Sequence, residues 1–364
     1  MTAKDISNDL LGIVDVRGTV AVRADGGLNE APGSAGFDWT IVALSGVFVS
    51  GLFLDGWAHA HGRVDQSFFT PWHAVFYGGY AAVASTLVAA LLRHRARGHP
   101  WRRALPPGYG LSLLGTLIFA VAGAGDMIWH LLFGIEVGTQ ALLSPTHLAL
   151  ALGMGLIVSG PLRAAWRRRE PDSGWLAHVP MLLSLTLTLS VFTLFTLYAH
   201  PIVQVAAGAG HPYAGSEAMG VASILLQTGL LMGTILLVLR LRTLPVGALT
   251  VMVTLNAAAM GFLNLHGDYP LALVVAACTA GLFADLLRAL LRPTAGRLAA
   301  WRLFAFTVPA ALYLCYFLAL MLTEGIGWSV HIWTGSIMLA GIAGWLLSHL
   351  LLTPRSLELK NEHD

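Results

Sequence analysis

The sequence carries little charge for its length. Of its 364 residues, 11% are Asp, Glu, Lys or Arg and 56% are hydrophobic. Soluble domains carry about 25% charged residues, so this composition excludes an ordinary soluble domain and indicates an integral membrane protein. The formal net charge is only +2. That value lacks the basic excess of a nucleic-acid-binding surface, so we expect no nucleic-acid partner.

The sequence also has few cysteines, no regular alternation of apolar and polar residues, and no signal-peptide pattern. The two cysteines, Cys278 and Cys315, lie in apolar runs without C-x-x-C spacing, which argues against a zinc knuckle or a disulfide framework. No stretch alternates apolar and polar residues, which excludes a transmembrane β-barrel. The first residues show no charged-then-apolar signal-peptide pattern, so we predict a polar cytoplasmic tail over 1–38.

Long apolar runs dominate the rest of the chain. Runs of about 20 residues predict membrane-spanning helices, so the fold class is all-α, a polytopic transmembrane bundle of about ten helices. The predicted helices cover 39–61, 70–93, 109–134, 144–166, 176–199, 217–241, 245–265, 270–291, 300–322 and 328–352. We divide the chain into a tail at 1–38, a four-helix half at 39–170, a six-helix half at 171–352 and a second tail at 353–364.

Arginine marks one side of the predicted bundle. The loops after the second and fourth predicted helices are rich in Arg, at 93–103 and 163–169, whereas the loops after odd-numbered helices hold almost none. Because cytoplasmic loops carry the excess of basic residues, both termini are predicted to be cytoplasmic. The expected location is the plasma (inner) membrane, and the lipid bilayer is the expected surrounding.

One motif occurs twice in the four-helix half. Each copy has Asp-x-x-x-His near the end of one predicted helix and Ser/Thr-Pro-x-His at the start of the next. The first copy comprises Asp55, His59 and His73, and the second comprises Asp126, His130 and His147. Asp and His four residues apart share a helix face, and polar groups within a membrane usually mark a functional site. We predict two metal sites near the outer membrane face.

The second part of each motif predicts a helix start. Thr70 and Ser144 are natural N-caps, and Pro71 and Pro145 suit the first helical position. Each hairpin should therefore bring its last His toward the Asp and His of the preceding helix. Two imidazoles and one carboxylate leave coordination positions open for substrate, water or O₂. Residue types alone do not choose among copper, zinc and iron.

Several other polar residues are candidates for smaller roles. His61, Asp65 and Glu136 follow the motifs closely and are candidate additional ligands or partners of a ligand. His200, His266 and His331 are predicted to be single, hydrogen-bonded histidines at the outer interface. Tyr77 is interpreted as a packing residue. A bis-His haem site is disfavoured because it would leave the carboxylates of the two motifs unexplained. A di-iron site is disfavoured because the sequence lacks the His-x-x-x-His pairs of membrane desaturases.

The string FTPWH-x-x-FY after D-x-x-x-H resembles the C subunit of the particulate methane and ammonia monooxygenases. In that copper membrane monooxygenase family an Asp-x-x-x-His helix joins a His from a Phe-Thr-Pro-x-His helix start. Asp55, His59 and His73 match that copper triad, with Phe69 and Thr70 alongside. The similarity covers roughly residues 39 to 165. Asp126 stands where the family usually has Asn at a second copper site.

The resemblance implies a copper-dependent membrane oxygenase, or the metal-bearing subunit of one, that uses O₂ on a small apolar substrate. It assigns Asp55, His59 and His73 as the catalytic copper site. It also implies separate monooxygenase-type subunits or a homo-oligomer, with a trimer favoured. The alternative is a copper or zinc transporter, or a metal-loading factor without catalytic activity.

Overall fold

The computed structural model describes residues 31, 33–63, 70–134, 136, 138–168, 174–209, 217–263 and 269–352. Within these residues the chain is helical and forms no β-strand. The helices are α1 (Ala35–Ala60), α2 (Pro71–Ala96), α3 (Gly110–Phe133), α4 (Gln140–Leu143), α5 (Pro145–Val158), α6 (Gly160–Arg167), α7 (Trp175–Phe195), α8 (Pro201–Gln204), α9 (Glu217–Leu241), α10 (Ala248–Phe262), α11 (Tyr269–Leu291), α12 (Leu298–Leu322) and α13 (Val330–Leu351). Most of the first predicted tail and all of the second lie outside the described residues.

The helices are long and apolar enough for a multi-pass membrane protein. Within the described residues, 8 helices meet the length and composition of a membrane span, or 9 if α5 and α6 form one span bent by 40°. The apolar helix α10 is shorter, with 15 residues. Each of the ten predicted segments contains a helix, which confirms a polytopic helical bundle. A count of ten crossings and the cytoplasmic termini remain predictions.

The four-helix half consists of two closely packed hairpins, α1 with α2 and α3 with α5. A glycine allows each close approach. A Cβ added to Gly79 would lie 2.6 Å from the Cα of Phe48, and one added to Gly153 would lie 2.9 Å from the backbone N of Phe119. Gly79 and Gly153 occupy the same place in the two repeats, six residues after His73 and His147 (79 − 73 = 153 − 147 = 6). Small residues at such contacts let membrane helices pack backbone to backbone.

Helix α7 connects the two halves, because it packs against α1, α5 and α6 as well as against α9 and α10. The remaining helices form further neighbouring pairs, α10 with α11 and α12 with α13. Chain direction alternates from one long helix to the next. The C-terminal ends of α1, α3 and α7 therefore lie at the same end of the bundle as the starts of α2 and α5.

The opposite end of the four-helix half is fixed by a buried ion pair. Helix α1 begins at Ala35, so the predicted boundary at residue 38 falls inside the helix. Asp38 is buried, accepts a 2.5 Å hydrogen bond from the Tyr109 hydroxyl and pairs with Arg168. Burial raises the pKa of the Tyr109 phenol, so Tyr109 remains a donor to the carboxylate. The sequence analysis places Asp38 in the polar tail, whereas it lies in the first turn of α1.

Candidate metal centres

Both predicted helix starts are present. Helix α2 begins at Pro71, and the Thr70 hydroxyl accepts a 3.1 Å hydrogen bond from the backbone N–H of His73. Helix α5 begins at Pro145, and the Ser144 hydroxyl accepts the corresponding bond from His147 at 3.4 Å. Each cap satisfies a backbone donor that the first helical turn leaves unpaired. The same bond holds each His on the first turn, where it faces the preceding helix.

The first group consists of Asp55, His59 and His73, which can offer three ligand atoms within 4.8 Å of one another. The Oδ2 atom of Asp55 lies 3.7 Å from Nε2 of His59 and 3.4 Å from Nε2 of His73. The two imidazole rings are 6.5 Å apart, centroid to centroid. The His59 side chain is 42% exposed, so this group is open on one side.

The second group consists of Asp126, His130 and His147 and meets the same 4.8 Å limit. Oδ2 of Asp126 lies 3.3 Å from Nε2 of His130, and Oδ1 lies 3.6 Å from Nε2 of His147. The imidazole rings are closer here, at 5.7 Å. The Asp126 side chain is only 5% exposed, so the second group is the more enclosed of the two.

Neighbouring side chains hold the histidines of the second group. Nδ1 of His130 forms a 3.3 Å hydrogen bond with the Gly134 carbonyl oxygen and also lies 3.2 Å from a carboxylate oxygen of Glu136. Nδ1 of His147 lies 2.5 Å from the Ser144 hydroxyl. With Nδ1 as the donor in each ring, the Nε2 lone pair faces Asp126. Histidines that bind metals usually donate the second ring N–H in this way. Glu136, which the sequence analysis predicts as a candidate ligand or partner of a ligand, therefore contacts His130 of the second group.

Tyr77 lies between the two groups. It follows His73 by one helical turn on α2, and the ring centroids are 6.0 Å apart. A Cβ added to Gly123 on α3 would lie 3.4 Å from the Tyr77 hydroxyl, and Gly123 is one turn before Asp126. The two groups are therefore neighbours, and Tyr77, which the sequence analysis interprets as a packing residue, lies between them.

A cavity opens beside the first group. Its volume is about 510 Å³, within the range of small-molecule sites. Its walls come from the start of α2 and the last turns of α3, and they are mainly apolar. The lining residues are Thr70, Pro71, His73, Ala74, Tyr77, Gly123 and Met127.

The groups fit a cation for a reason independent of spacing. Oδ1 of Asp55 and Oε1 of Glu136 are buried and have no hydrogen-bond partner among the described residues. A buried carboxylate oxygen without a partner is costly, and a metal ion would offset that cost. Each triad supplies one carboxylate and two imidazoles at mutual distances that one ion can bridge. The donor set therefore fits a divalent first-row metal.

Not every sequence candidate joins these groups. The His61 ring stacks on Trp57 at 4.7 Å, and its Nδ1 atom lies 2.8 Å from the Trp57 carbonyl oxygen. His61 is not a member of the group formed by Asp55, His59 and His73. Asp65 and Phe69 lie outside the described residues, as does His266.

Comparison with known proteins adds no relative. No protein-family model matches the chain, no curated protein matches it, and no solved structure matches it. The class therefore rests on the fold and the two groups alone. The chain is a polytopic helical membrane protein with two Asp-His-His groups able to hold a metal ion.

Proposed function

We propose that this protein is a copper-binding membrane oxygenase, or the metal-bearing subunit of one. In this proposal copper binds at both Asp-His-His groups, near the outer face of the plasma membrane. The main support for this proposal is the first group, where Asp55, His59 and His73 converge beside a cavity of about 510 Å³. When bound, copper supplies one-electron redox chemistry toward O₂.

The residues around the cavity have distinct tasks in this proposal. The carboxylate of Asp55 compensates positive charge, because opposite charges attract strongly in a medium of low dielectric constant. The exposed side of His59 leaves room for an exogenous ligand. The apolar walls formed by Ala74 and Met127 suit a small apolar substrate dissolved in the membrane. Tyr77 supplies a hydroxyl between the cavity and the second group.

The second group is assigned a tighter, supporting role. Asp126 is nearly inaccessible, and both of its histidines are held through Nδ1. Rigid ligands with fixed orientation bind metal more strongly than mobile ones. An Asp at this place favours a more highly charged metal than a neutral Asn would. Separate monooxygenase-type subunits, or a trimer of this chain, belong to the same proposal.

The deciding experiment is metal analysis with EPR on detergent-purified protein, beside an Asp55→Ala/His59→Ala variant. We expect a Cu(II) signal with imidazole nitrogen couplings in the wild type and the loss of one component in the variant. A protein that binds no copper after reconstitution, with both triads intact, contradicts the proposal. O₂ uptake with small apolar substrates then tests the oxygenase step.

A copper or zinc transporter, or a loading factor, is the second candidate. The exposure of His59, 42% of its side chain, favours this candidate because an open ligand exchanges metal readily with the solution. Metal flux into liposomes that contain the purified protein distinguishes the two functions. Flux without O₂ uptake supports transport, and tight binding without flux excludes it.

A further inference from the structure

The segment 196–209, between α7 and α9, departs from regular helix inside the bundle. After Thr196 it forms a 3-10 turn (Leu197–Ala199), the one-turn helix α8 and a left-handed residue, Val205, with φ of 41°. A positive φ is rare for a β-branched residue, and such conformations concentrate at functional sites. Val205 is fully buried, so the surrounding structure imposes this conformation.

Side chains from elsewhere in the bundle hold this segment in place. Non-helical backbone in a membrane protein persists only where other groups satisfy it or where it lines a cavity. Three side chains donate to its carbonyl oxygens. The bonds run from Gln227 to Ala199 at 2.9 Å, from Tyr316 to Pro201 at 3.1 Å and from Trp328 to Ala206 at 3.0 Å. The segment is therefore fixed, and with it the position of His200.

His200 lines a small interior cavity. Its volume is about 70 Å³. One water occupies about 10–15 Å³, so the cavity has room for a molecule of several heavy atoms. Leucine, valine, proline and alanine form most of its wall, together with the rings of Tyr313 and Tyr316. Its polar lining residues include His200, Gln227 and Asn256.

Existing hydrogen bonds fix what these polar groups present. The Gln227 amide nitrogen donates to the Thr196 hydroxyl and the Ala199 carbonyl, and that of Asn256 donates to the hydroxyls of Ser190 and Thr193. Both amide oxygens therefore remain acceptors. Within the described residues neither oxygen has a hydrogen-bond partner.

The imidazole of His200 supplies the complementary donor. Its Nδ1 atom accepts a 3.3 Å hydrogen bond from the backbone N–H of Ile202, so Nε2 carries the proton. Burial lowers the pKa of His200 to about 3, which keeps the ring neutral at physiological pH. The described lining includes no Asp, Glu, Lys or Arg. A charged ligand would lose its hydration without gaining an opposite charge.

We propose that the cavity formed by His200, Gln227 and Asn256 binds a small neutral molecule with one hydrogen-bond acceptor and two N–H or O–H donors. A primary amide has this pattern. Its carbonyl accepts from Nε2 of His200, and its two N–H groups donate to the amide oxygens of Gln227 and Asn256. The tyrosine rings and aliphatic side chains contact its apolar part. This site is separate from both Asp-His-His groups.

The first test uses the full-length protein in detergent and needs no variant. Ligand-observed NMR titrations compare acetamide with N,N-dimethylacetamide, which lacks N–H donors, and with acetate, which is charged. We expect saturable binding of acetamide and at least about tenfold weaker binding of the other two, because each leaves buried acceptors unpaired or a charge uncompensated. Equal binding of all three overturns the proposal, because it shows no selection for a neutral molecule with N–H donors. No saturable binding also overturns it and leaves the cavity as a site for water only.

Variants then locate the binding. Ala257→Phe fills the cavity while retaining its polar groups, and we expect it to abolish acetamide binding. Asn256→Leu removes one acceptor and should weaken binding about tenfold. Thr254→Val is the matched control, since Thr254 is on the same helix, does not line the cavity and has a buried hydroxyl without a partner. The Ala257→Phe variant must show normal thermal unfolding, so that it is known to be folded. If such a variant still binds acetamide as the wild type does, the assignment of binding to this cavity is wrong.

Discussion

Thr146 donates a 2.8 Å hydrogen bond to Oδ1 of Asp126. The residue at the matching place in the first hairpin is Trp72, whose indole N–H donates to the Arg63 carbonyl at 3.2 Å instead. Oδ1 of Asp55 consequently has no hydrogen-bond partner among the described residues. Two copies of one motif therefore produce a supported carboxylate in the second group and an unsupported one in the first.

The first prediction concerns metal stoichiometry. We expect about two copper ions per wild-type chain after reconstitution, and about one in either His73→Ala or His147→Ala, because each change removes one imidazole from a three-residue group. Inductively coupled plasma mass spectrometry on purified protein measures this ratio. His61→Ala is the matched control and should retain two, since its ring stacks on Trp57 outside the group. If His61→Ala lost metal and His73→Ala did not, the assignment of the first group would be wrong.

Glu136 should control the affinity of the second group. Glu136→Gln removes the charge beside Nδ1 of His130, and loss of such a partner typically weakens metal binding by roughly 10- to 100-fold. Competition with a chelator of known affinity measures the change. The first group should retain its affinity, and Glu217→Gln, on α9, should change neither. An equal effect on both groups would indicate a general loss of structure instead.

The glycine contacts between helices should affect stability. Gly79→Ala places a methyl group against the Phe48 backbone, where a Cβ would lie 2.6 Å from Cα, and we expect destabilisation of roughly 1–3 kcal/mol from overpacking. Gly78→Ala is the matched control, because no atom lies within 4 Å of an added Cβ there. Detergent or thermal unfolding curves measure both. Equal stability of the two variants would show that α1 and α2 can move apart without destabilising the protein.

A labelling experiment tests the orientation of the bundle. In a Cys278→Ala/Cys315→Ala background we introduce Arg63→Cys after α1 or Arg97→Cys after α2, both at exposed positions. The basic loops predict that a membrane-impermeant maleimide labels position 63 in intact cells and position 97 only after permeabilisation. The opposite labelling pattern would show that both Asp-His-His groups lie on the cytoplasmic side.

The sequence allowed prediction of those features that depend on local chemistry. Apolar runs gave the helices, and Thr70-Pro71 and Ser144-Pro145 gave two helix starts that the structure confirms. The contact between Glu136 and His130 depends on Gly134, whose φ of 81° turns the chain back after α3. The residue spacing alone does not show this turn.

The cavity around His200 could not be predicted for a related reason. His200 was interpreted as an interface histidine, yet it is only 6% exposed. Its position depends on the irregular segment 196–209, which is held by side chains from α9, from α12 and from Trp328 in the loop before α13. Such tertiary hydrogen bonds join residues far apart in the chain, so the periodicity of apolar residues in the sequence does not predict them. Signals that could have helped were the polar residues Gln227 and Asn256 inside apolar helices.

The glycine contacts at Gly79 and Gly153 have a consequence for how metal enters the protein. They join α1 to α2 and α3 to α5 through backbone packing, so the hairpins close without help from any ion. We therefore expect the ligand atoms to be held close together before a metal arrives, so that little conformational entropy is lost on binding. Unlike a zinc finger, which unfolds on chelation, this protein should survive repeated stripping and reloading, with the metal as an exchangeable component.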